Sequence, residues 1–299
     1  MIYMKIFDCF MYFNEDLVLD IRLNHLSNIV EKFVIVESNY THSGEFKEFN
    51  FDINKYKKFK DKIVYVQIDE KPKTYKEINK NLSIDKVKEI QIFNAITLEN
   101  YQRNQISKGL EIANDDDFIL ISDVDEIPNL NGINFNKNSN KILLFKQHFF
   151  NYKLNLYLKD FFLYGTKGCK KKLLKSPQWL RNIKNKKYSY YRLDVLFSNT
   201  KYHNIQFIND GGWHFSNLLD ENGMIYKLKS FLHHADLPDK LFDKELFKNL
   251  IAEKKIMYDH EADKTEDKYS KKKDLSIFDI ELLPDYIKNN KDKFKDWLV

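Results

Sequence analysis

Cysteine, arginine and long apolar runs are all scarce in this chain of 299 residues. With only Cys9 and Cys169 present, no disulfide framework is available, and a reducing compartment is expected. No apolar run reaches the roughly 20 residues that span a bilayer, and Lys5 and Asp8 interrupt the N-terminal segment, so no signal peptide or membrane anchor is recognisable. These absences predict a soluble cytoplasmic protein without a membrane span.

The cationic residues are almost all lysines, because the chain contains only four arginines: Arg22, Arg103, Arg181 and Arg192. Lysine is a poor substitute where a planar guanidinium must bind a carboxylate or phosphate through two hydrogen bonds, so each arginine is a candidate for such a role. The net charge of +5 is spread over a lysine-biased surface balanced by 44 acidic residues. Without a basic stripe or a nucleic-acid motif, a nucleic acid partner is not expected.

Apolar segments and helical patterns alternate along the first part of the chain. Strands are predicted at residues 5–13, 33–37 and 63–68, with a helix at 14–28, which predicts an α/β protein with a βαβ start. A long helix is predicted at 85–113, and a loop at 164–168 where glycines recur. Residues 1–235 are interpreted as one domain and residues 236–299 as a helical extension packed on its outside.

Two aspartates directly follow the most apolar predicted strand, at residues 118–121. Asp123 and Asp125 stand where the strand ends, and ligands of open α/β sheets bind at the carboxyl ends of strands. In extended backbone, residues two apart point to the same side, so both carboxylates can face one ion. Mg²⁺ and Mn²⁺ bind one or two carboxylates together with phosphate oxygens, which favours a metal site for a nucleotide diphosphate. The alternative is that the aspartates only form turns and caps.

A second segment with chemical character is Asp210-Gly-Gly-Trp-His-Phe-Ser216. Its paired glycines permit close backbone approach, Trp213 offers a flat face to a sugar ring, and His214 can bind a metal through a neutral imidazole. Each residue also has a structural alternative, as a turn, a core side chain or a hydrogen-bonded histidine.

Arg103 lies near one stripe of the predicted long helix with Phe93, Ile96 and Leu110. It is therefore expected to point toward the sheet, where an inward guanidinium needs an anion such as a diphosphate. The alternative is an apolar stem that packs and a charged head that reaches water.

Three segments together resemble glycosyltransferase family 17, and they occur in the family's order. They are Phe-Val-Ile-Val-Glu-Ser-Asn-Tyr-Thr-His-Ser-Gly at 33–44, Ile-Ser-Asp-Val-Asp-Glu-Ile-Pro at 121–128 and Gly-Gly-Trp-His-Phe-Ser at 211–216. The likeness covers most of residues 4–235. It implies a GT-A type nucleotide-sugar-binding fold with a mixed, mainly parallel central sheet and a helical C-terminal tail. It also implies a UDP-sugar donor, expected to be UDP-N-acetylglucosamine, and an inverting transfer that forms a β linkage.

The resemblance, together with the residue types, assigns expected roles. The metal ion, Mn²⁺ or Mg²⁺, is expected on Asp123, Asp125 and His214. Donor contacts are expected from Glu37, Thr41, Ser43, Gly44, Arg103, Trp213 and Lys227. The general base stays open among Glu126, Asp194, Asp210 and Asp236.

The expected acceptor is a glycan or a lipid-linked saccharide. Animal members of the family carry an N-terminal membrane anchor, whereas this sequence begins at its first strand, so we expect a bacterial or virus-encoded enzyme with at most peripheral membrane contact. Two alternatives remain open. One is a catalytically inactive carbohydrate-binding protein on the same fold, and the other is a Mg²⁺-dependent nucleotidyltransferase, which would release pyrophosphate instead of UDP.

Overall fold

The computed structural model describes residues 4–79, 82–138, 141–230, 243–259 and 272–299, which are organised around one large mixed sheet. The strands are β1 (Ile6–Met11), β2 (Lys32–Ser38), β3 (Ile63–Ile68), β4 (Phe118–Asp123), β5 (Glu126–Pro128), β6 (Ile142–Asn151), β7 (Leu156–Lys170), β8 (Ile205–Ile208), β9 (Gly212–Ser216) and β10 (Ser276–Ile277). The α-helices are α1 (Asp16–Leu26), α2 (Ile84–Asn104), α3 (Ile106–Gly109), α4 (Pro177–Asn182), α5 (Glu221–Ser230), α6 (Lys244–Ala252) and α7 (Asp285–Lys288).

The sheet has the strand order β3-β2-β1-β4-β7-β6-β9-β5. Its first four strands are parallel, so the carboxyl ends of β1, β2 and β4 lie at one edge. Strand β7 runs antiparallel to β4 and β6, and β9 pairs parallel to β6 and antiparallel to β5. This mixed, mainly parallel α/β architecture confirms the predicted fold class and fits the GT-A type.

Strand β4 is covered on both faces of the sheet. Phe118 and Leu120 pack into the apolar core on one face, whereas Ile119 and Ile121 pack into the core on the other. Neighbouring side chains of a strand point to opposite faces, so a strand buried on both sides needs an unbroken apolar run. The strand predicted at 118–121 is therefore confirmed, and it ends at Asp123.

The C-terminal part of the chain is helical in α6 and α7, and it also joins the main sheet and core. Strand β10 pairs with β7. Phe278, Ile287 and Phe294 are buried in the same core cluster as residues of β1 and β4. The predicted boundary at 235/236 lies outside the described residues and stays a prediction. Within the described ranges, no helix is both long and apolar enough to cross a bilayer.

The predicted loop at 164–168 is wrong, because these residues lie inside β7. The glycines that suggested a loop instead allow close packing across the sheet. A Cβ atom on Gly165 would lie 2.4 Å from Oε1 of Gln147 and 2.5 Å from Cδ of Glu126. One on Gly168 would lie 2.6 Å from the Phe118 ring.

The predicted helix at 85–113 is interrupted at Gln105, where α2 ends and the short α3 follows. The predicted apolar stripe is also partly wrong, since Phe93 and Ile96 are exposed. Arg103 is buried, as the prediction of an inward-pointing side chain requires. The buried apolar residue of this helix near Arg103 is Leu98, whereas Phe93 and Ile96 are exposed.

Candidate active site

A cavity of about 340 Å³ lies at the carboxyl ends of β1, β2 and β4. Its walls come from the ends of these three strands and the segments that follow them, from α2, from one residue of β9 and from two residues of α5. This is the edge at which open α/β sheets bind ligands. Of the residues predicted for the site, six line the cavity: Thr41, Arg103, Asp123, Asp125, His214 and Lys227.

The turn that carries the two aspartates is held by the fully buried Arg22 of α1. Its Nε and NH2 atoms donate to the two carboxylate oxygens of Asp8 at 2.7 and 2.6 Å. NH1 donates to three backbone carbonyls, those of Asp123, Val124 and Glu126, each at 3.0 Å. NH2 also reaches the Ser122 hydroxyl at 2.5 Å. The Arg22 guanidinium therefore holds the backbone of the turn at residues 123–126 in place through hydrogen bonds to its carbonyl groups.

Asp123 lies between two arginines. Its Oδ1 accepts a hydrogen bond from NH2 of Arg103 at 3.1 Å, and its Oδ2 accepts one from NH2 of Arg181 at 2.9 Å. Burial alone would raise the pKa of Asp123, but Arg181 and Arg103 lower it well below its usual range. The carboxylate is thus ionised and already paired through both oxygens, a setting different from the metal-ligand position predicted for it.

Asp125 lies beside His214 and Lys227. Its Oδ2 is 3.6 Å from Nε2 of His214 and 3.8 Å from Nζ of Lys227. The pairing of β5 with β9 brings the histidine there, since Glu126 faces His214 in the register and the Phe215 amide donates to the Asp125 carbonyl at 2.8 Å. Asp125 and His214, which were both expected at the metal site, therefore lie side by side.

The charges of this group stabilise one another. Burial raises the pKa of Asp125, but His214 and Lys227 together lower it by more than burial raises it. The net pKa is therefore below its usual value. Burial lowers the pKa of His214, but Asp125 raises it more, and the net pKa is above its usual value. The site therefore stabilises the ionised Asp125 carboxylate through its two neighbours.

Glu126 is buried, and its side chain forms a hydrogen bond with the backbone of Asp123. Its Oε2 accepts the backbone amide of Asp123 at 2.7 Å and NH1 of Arg181 at 2.6 Å. NH2 of Arg181 reaches Oε1 at 3.0 Å, and NH1 also donates to the Gly165 carbonyl. Glu126 does not line the cavity, and its hydrogen bonds support the turn, so its role as general base stays a prediction without a cavity contact. The sequence signalled Arg181 only through the rarity of arginine.

The metal prediction can be compared with the donor set. Among the described residues, no group of three or more histidine, cysteine, aspartate and glutamate side chains is arranged to hold a metal ion. Asp125 and His214 are close enough to supply two ligands, and Mg²⁺ or Mn²⁺ commonly takes only one or two protein ligands when phosphate oxygens and water complete its shell. Asp125 and His214 therefore fit such an ion, whereas both oxygens of Asp123 already accept hydrogen bonds from arginines, and its metal role stays a prediction.

Glu37 occupies a buried position away from the cavity. Its carboxylate accepts from Nζ of Lys47 at 2.5 Å, from the amides of Asn50 and Phe51 at 2.7 and 3.0 Å, and from the Tyr65 hydroxyl at 2.8 Å. These bonds anchor the segment after β2 to β3. Glu37 also supports the cavity wall through Lys47, which lines the cavity, and its predicted nucleoside contact stays a prediction.

Three predicted donor contacts follow β2 in the chain. Thr41 lies in the cavity wall, whereas Ser43 and Gly44 lie in the adjoining turn. Thr41 lines the cavity, and its hydroxyl lies 2.8 Å from that of Ser43. Ser43 and Gly44 belong to the adjoining turn, in which Gly44 has a φ of 92°. A Cβ atom there would lie 2.6 Å from the Tyr75 hydroxyl. Gly44 is therefore required by the turn, and neither it nor Ser43 lines the cavity.

Trp213 is a core residue and not a face of the cavity. It is buried, its Nε1 donates to the Leu282 carbonyl at 3.0 Å, and its ring meets the His25 ring edge-on at 5.2 Å. Because successive strand residues point to opposite faces, His214 reaches the cavity and Trp213 points away from it. The predicted sugar contact of Trp213 stays a prediction, for a ring that the structure places in the core.

Of the other general-base candidates, Asp194 and Asp210 lie outside the cavity lining. Asp194 is exposed and paired with Arg192 at 2.8 Å and Lys201 at 2.7 Å. Asp210 is exposed in the turn before β9, with a φ of 48°. Asp236 lies outside the described residues. Neither Asp194 nor Asp210 lines the cavity.

Two carboxylates that the sequence analysis did not single out do line the cavity, Glu15 and Glu99. Glu99 pairs with Arg103 one helical turn away at 2.7 Å, a spacing visible in the sequence. Glu15 accepts the amides of Phe13 and Asn14 through Oε2 at 3.1 and 3.0 Å. Burial and the nearby Asp125 raise the pKa of Glu15, while Lys227 lowers it less.

A comparison with curated proteins gives no match for this sequence. A comparison with protein families matches the model of glycosyltransferase family 17 over residues 2–299, essentially the whole chain. The motifs, the mixed α/β sheet and the cavity at its edge agree with that match. The chain belongs to glycosyltransferase family 17.

Proposed function

We propose that this glycosyltransferase moves N-acetylglucosamine from UDP-N-acetylglucosamine to a hydroxyl group of a glycan or lipid-linked saccharide, with inversion at the anomeric carbon. The observation that carries the proposal is the convergence of Asp125, His214 and Lys227 on a cavity at the carboxyl ends of the parallel strands. Carboxylate, imidazole and ammonium groups there suit a diphosphate with its divalent ion.

In this proposal Asp125 and His214 hold Mn²⁺ or Mg²⁺, which supplies charge neutralisation for the diphosphate. Lys227 adds an ammonium group beside the same carboxylate, where it stabilises the negative charge of departing UDP. Asp123 retains 38% exposure of its side chain while two arginines hold it. A rigid, ionised carboxylate of this kind can accept hydrogen bonds from the hydroxyl groups of the UDP-sugar.

Glu15 is our candidate for the general base. The other carboxylates at the cavity are paired with cationic side chains: Glu99 and Asp123 with arginines, and Asp125 with His214 and Lys227. Glu15 instead accepts backbone amides and has a raised pKa, which makes it a better proton acceptor. In a single displacement the acceptor oxygen bonds to the anomeric carbon, its proton passes to Glu15, and the bond to UDP breaks.

The test compares Asp125→Asn with Asp194→Asn, a matched change at an exposed carboxylate outside the cavity. We expect Asp125→Asn to lower Mn²⁺-dependent UDP release from UDP-N-acetylglucosamine by about 100-fold or more, because it removes a charged ligand. Asp194→Asn should retain the activity of the unchanged protein, and both variants should melt close to it. Full activity in Asp125→Asn would refute the proposed site.

The base assignment has its own test, the Glu15→Gln variant. It should bind UDP with unchanged affinity, since the proposal gives Glu15 no contact with the nucleotide, but should transfer sugar at least about 100-fold more slowly. Transfer at the normal rate would exclude Glu15 as the base without affecting the Asp125 assignment.

A further inference from the structure

We propose that residues 184–200 form a loop that docks the protein on an anionic membrane surface. The loop is closed at its base, where the Lys184 amide donates to the Thr200 carbonyl at 2.8 Å. Between these ends the chain folds into turns, including a short 3₁₀ helix at Leu193–Val195, and Val195 is buried beneath it. The loop is therefore an ordered projection with its own internal bonds.

Large apolar side chains cover the outside of this loop. Five of them lie within eight consecutive residues and are mostly exposed: Tyr190 at 83%, Tyr191 at 94%, Leu193 at 69%, Leu196 at 69% and Phe197 at 90%. Single exposed apolar residues are ordinary, but a cluster of this density is typical of an interaction surface. Tyrosine and phenylalanine suit the boundary between headgroups and acyl chains, where an apolar ring and a polar edge are both satisfied.

Cationic side chains surround the apolar ones. Lys184, Lys186, Lys187 and Arg192 are exposed within the loop, and Lys201 follows it. The only carboxylate of the segment is Asp194, and it is already paired with Arg192 and Lys201. The segment therefore presents apolar tips within a net positive field, the combination that binds anionic lipid surfaces.

A bilayer fits this surface better than a nucleic acid does. Aliphatic residues such as Leu193 and Leu196 offer no face on which a base stacks, whereas they gain free energy on entering the acyl region. The extended exposure of the tips also suits insertion into a continuous apolar phase.

The loop is tied to the candidate active site through α4. Arg181 of α4 bonds Asp123 and Glu126 at the site. Nζ of Lys167 then fixes the end of the helix by donating to the carbonyls of Arg181 and Ile183 at 2.7 and 2.5 Å. The loop and the candidate site are thus connected through one short helix, an arrangement that would suit a lipid-linked acceptor at the membrane. That last consequence rests on the proposed function, whereas the docking itself does not.

Co-sedimentation of the full chain with vesicles tests the proposal. The vesicles are phosphatidylcholine alone or an equal mixture of phosphatidylcholine and phosphatidylglycerol. Two loop variants remove either apolar tips, Tyr191→Ser/Phe197→Ser, or charge, Lys186→Glu/Lys187→Glu. The controls make matched changes at exposed residues elsewhere, Ile84→Ser/Ile112→Ser and Lys57→Glu/Lys60→Glu.

We expect binding to the anionic vesicles, weakened at least about tenfold by each loop variant and retained by both controls. High salt should weaken it as well. Acceptor-independent UDP release should be equal in all variants, which separates a docking failure from a failure of the proposed function. No binding to anionic vesicles would overturn the proposal, as would equal losses in the controls. Binding of a single-stranded oligonucleotide that the loop variants abolish, without vesicle binding, would assign the loop to nucleic acid instead.

Discussion

Replacing Arg22 by lysine should lower the free energy of unfolding by about 3–5 kcal/mol, even though the charge is kept. Arg22 makes six hydrogen bonds, two to Asp8, three to backbone carbonyls of the 123–126 turn and one to Ser122. A lysine ammonium has three donors and no planar fork, so about half of these buried acceptors lose their partner. Each buried acceptor left without one costs about 1–3 kcal/mol, and three at the lower end of that range give the total.

The matched control is Arg192→Lys. Arg192 is 47% exposed and forms its ion pair with the exposed Asp194, so the same substitution there should leave the urea midpoint unchanged. Urea unfolding followed by circular dichroism measures both values by linear extrapolation. A loss of less than about 1 kcal/mol in Arg22→Lys would refute the reasoning that this guanidinium holds the turn.

Three further predictions concern other side chains. Arg103→Lys should weaken UDP binding about tenfold in calorimetry, because a point charge no longer holds the Asp123 wall through the same fork, and unchanged affinity would contradict this. Trp213→Phe should lower the unfolding free energy by about 1–2 kcal/mol by removing the bond to Leu282, yet leave the donor KM within about twofold; a large rise in KM would restore a sugar contact. For Asp16, burial raises the pKa, but hydrogen bonds from Lys55 and two tyrosines lower it by more than burial raises it. The net pKa of Asp16 is therefore below its usual value. Its ionised form therefore stabilises the fold above the unfolded pKa of about 3.9, and the difference in melting temperature between the unchanged protein and Asp16→Asn should be present at pH 7 and close as pH falls below about 4. A difference that persists at low pH would contradict that assignment.

The site elements that the sequence predicted correctly depend on local patterns. The strand ending at Asp123 follows from an unbroken apolar run. Arg103 is buried as predicted, although two residues of the stripe that suggested it, Phe93 and Ile96, are exposed. The rarity of arginine was also informative. Arg22, Arg103 and Arg181 all bond residues 122–126, whereas Arg192 is at the surface.

Other features depend on contacts between distant segments, which composition and spacing do not encode. His214 meets Asp125 only because β5 pairs with β9. The same strand turns the neighbouring Trp213 into the core, so adjacency in sequence does not place the two side chains on one face. Likewise Gly165 looked like a loop residue because the side chains of Gln147 and Glu126, which need its space, are remote in sequence.

The central claim is that the cavity supports metal-dependent transfer from a UDP-sugar, and a UDP-release assay tests it most directly. The assay uses a panel of UDP- and GDP-sugars without acceptor, in Mn²⁺, Mg²⁺ or EDTA, and detects UDP, GDP and pyrophosphate separately. Our account predicts UDP release from UDP-N-acetylglucosamine that EDTA suppresses. Release that is equal in EDTA would contradict the metal assignment, and pyrophosphate in place of UDP, or no release and no UDP binding, would contradict the proposed transfer itself.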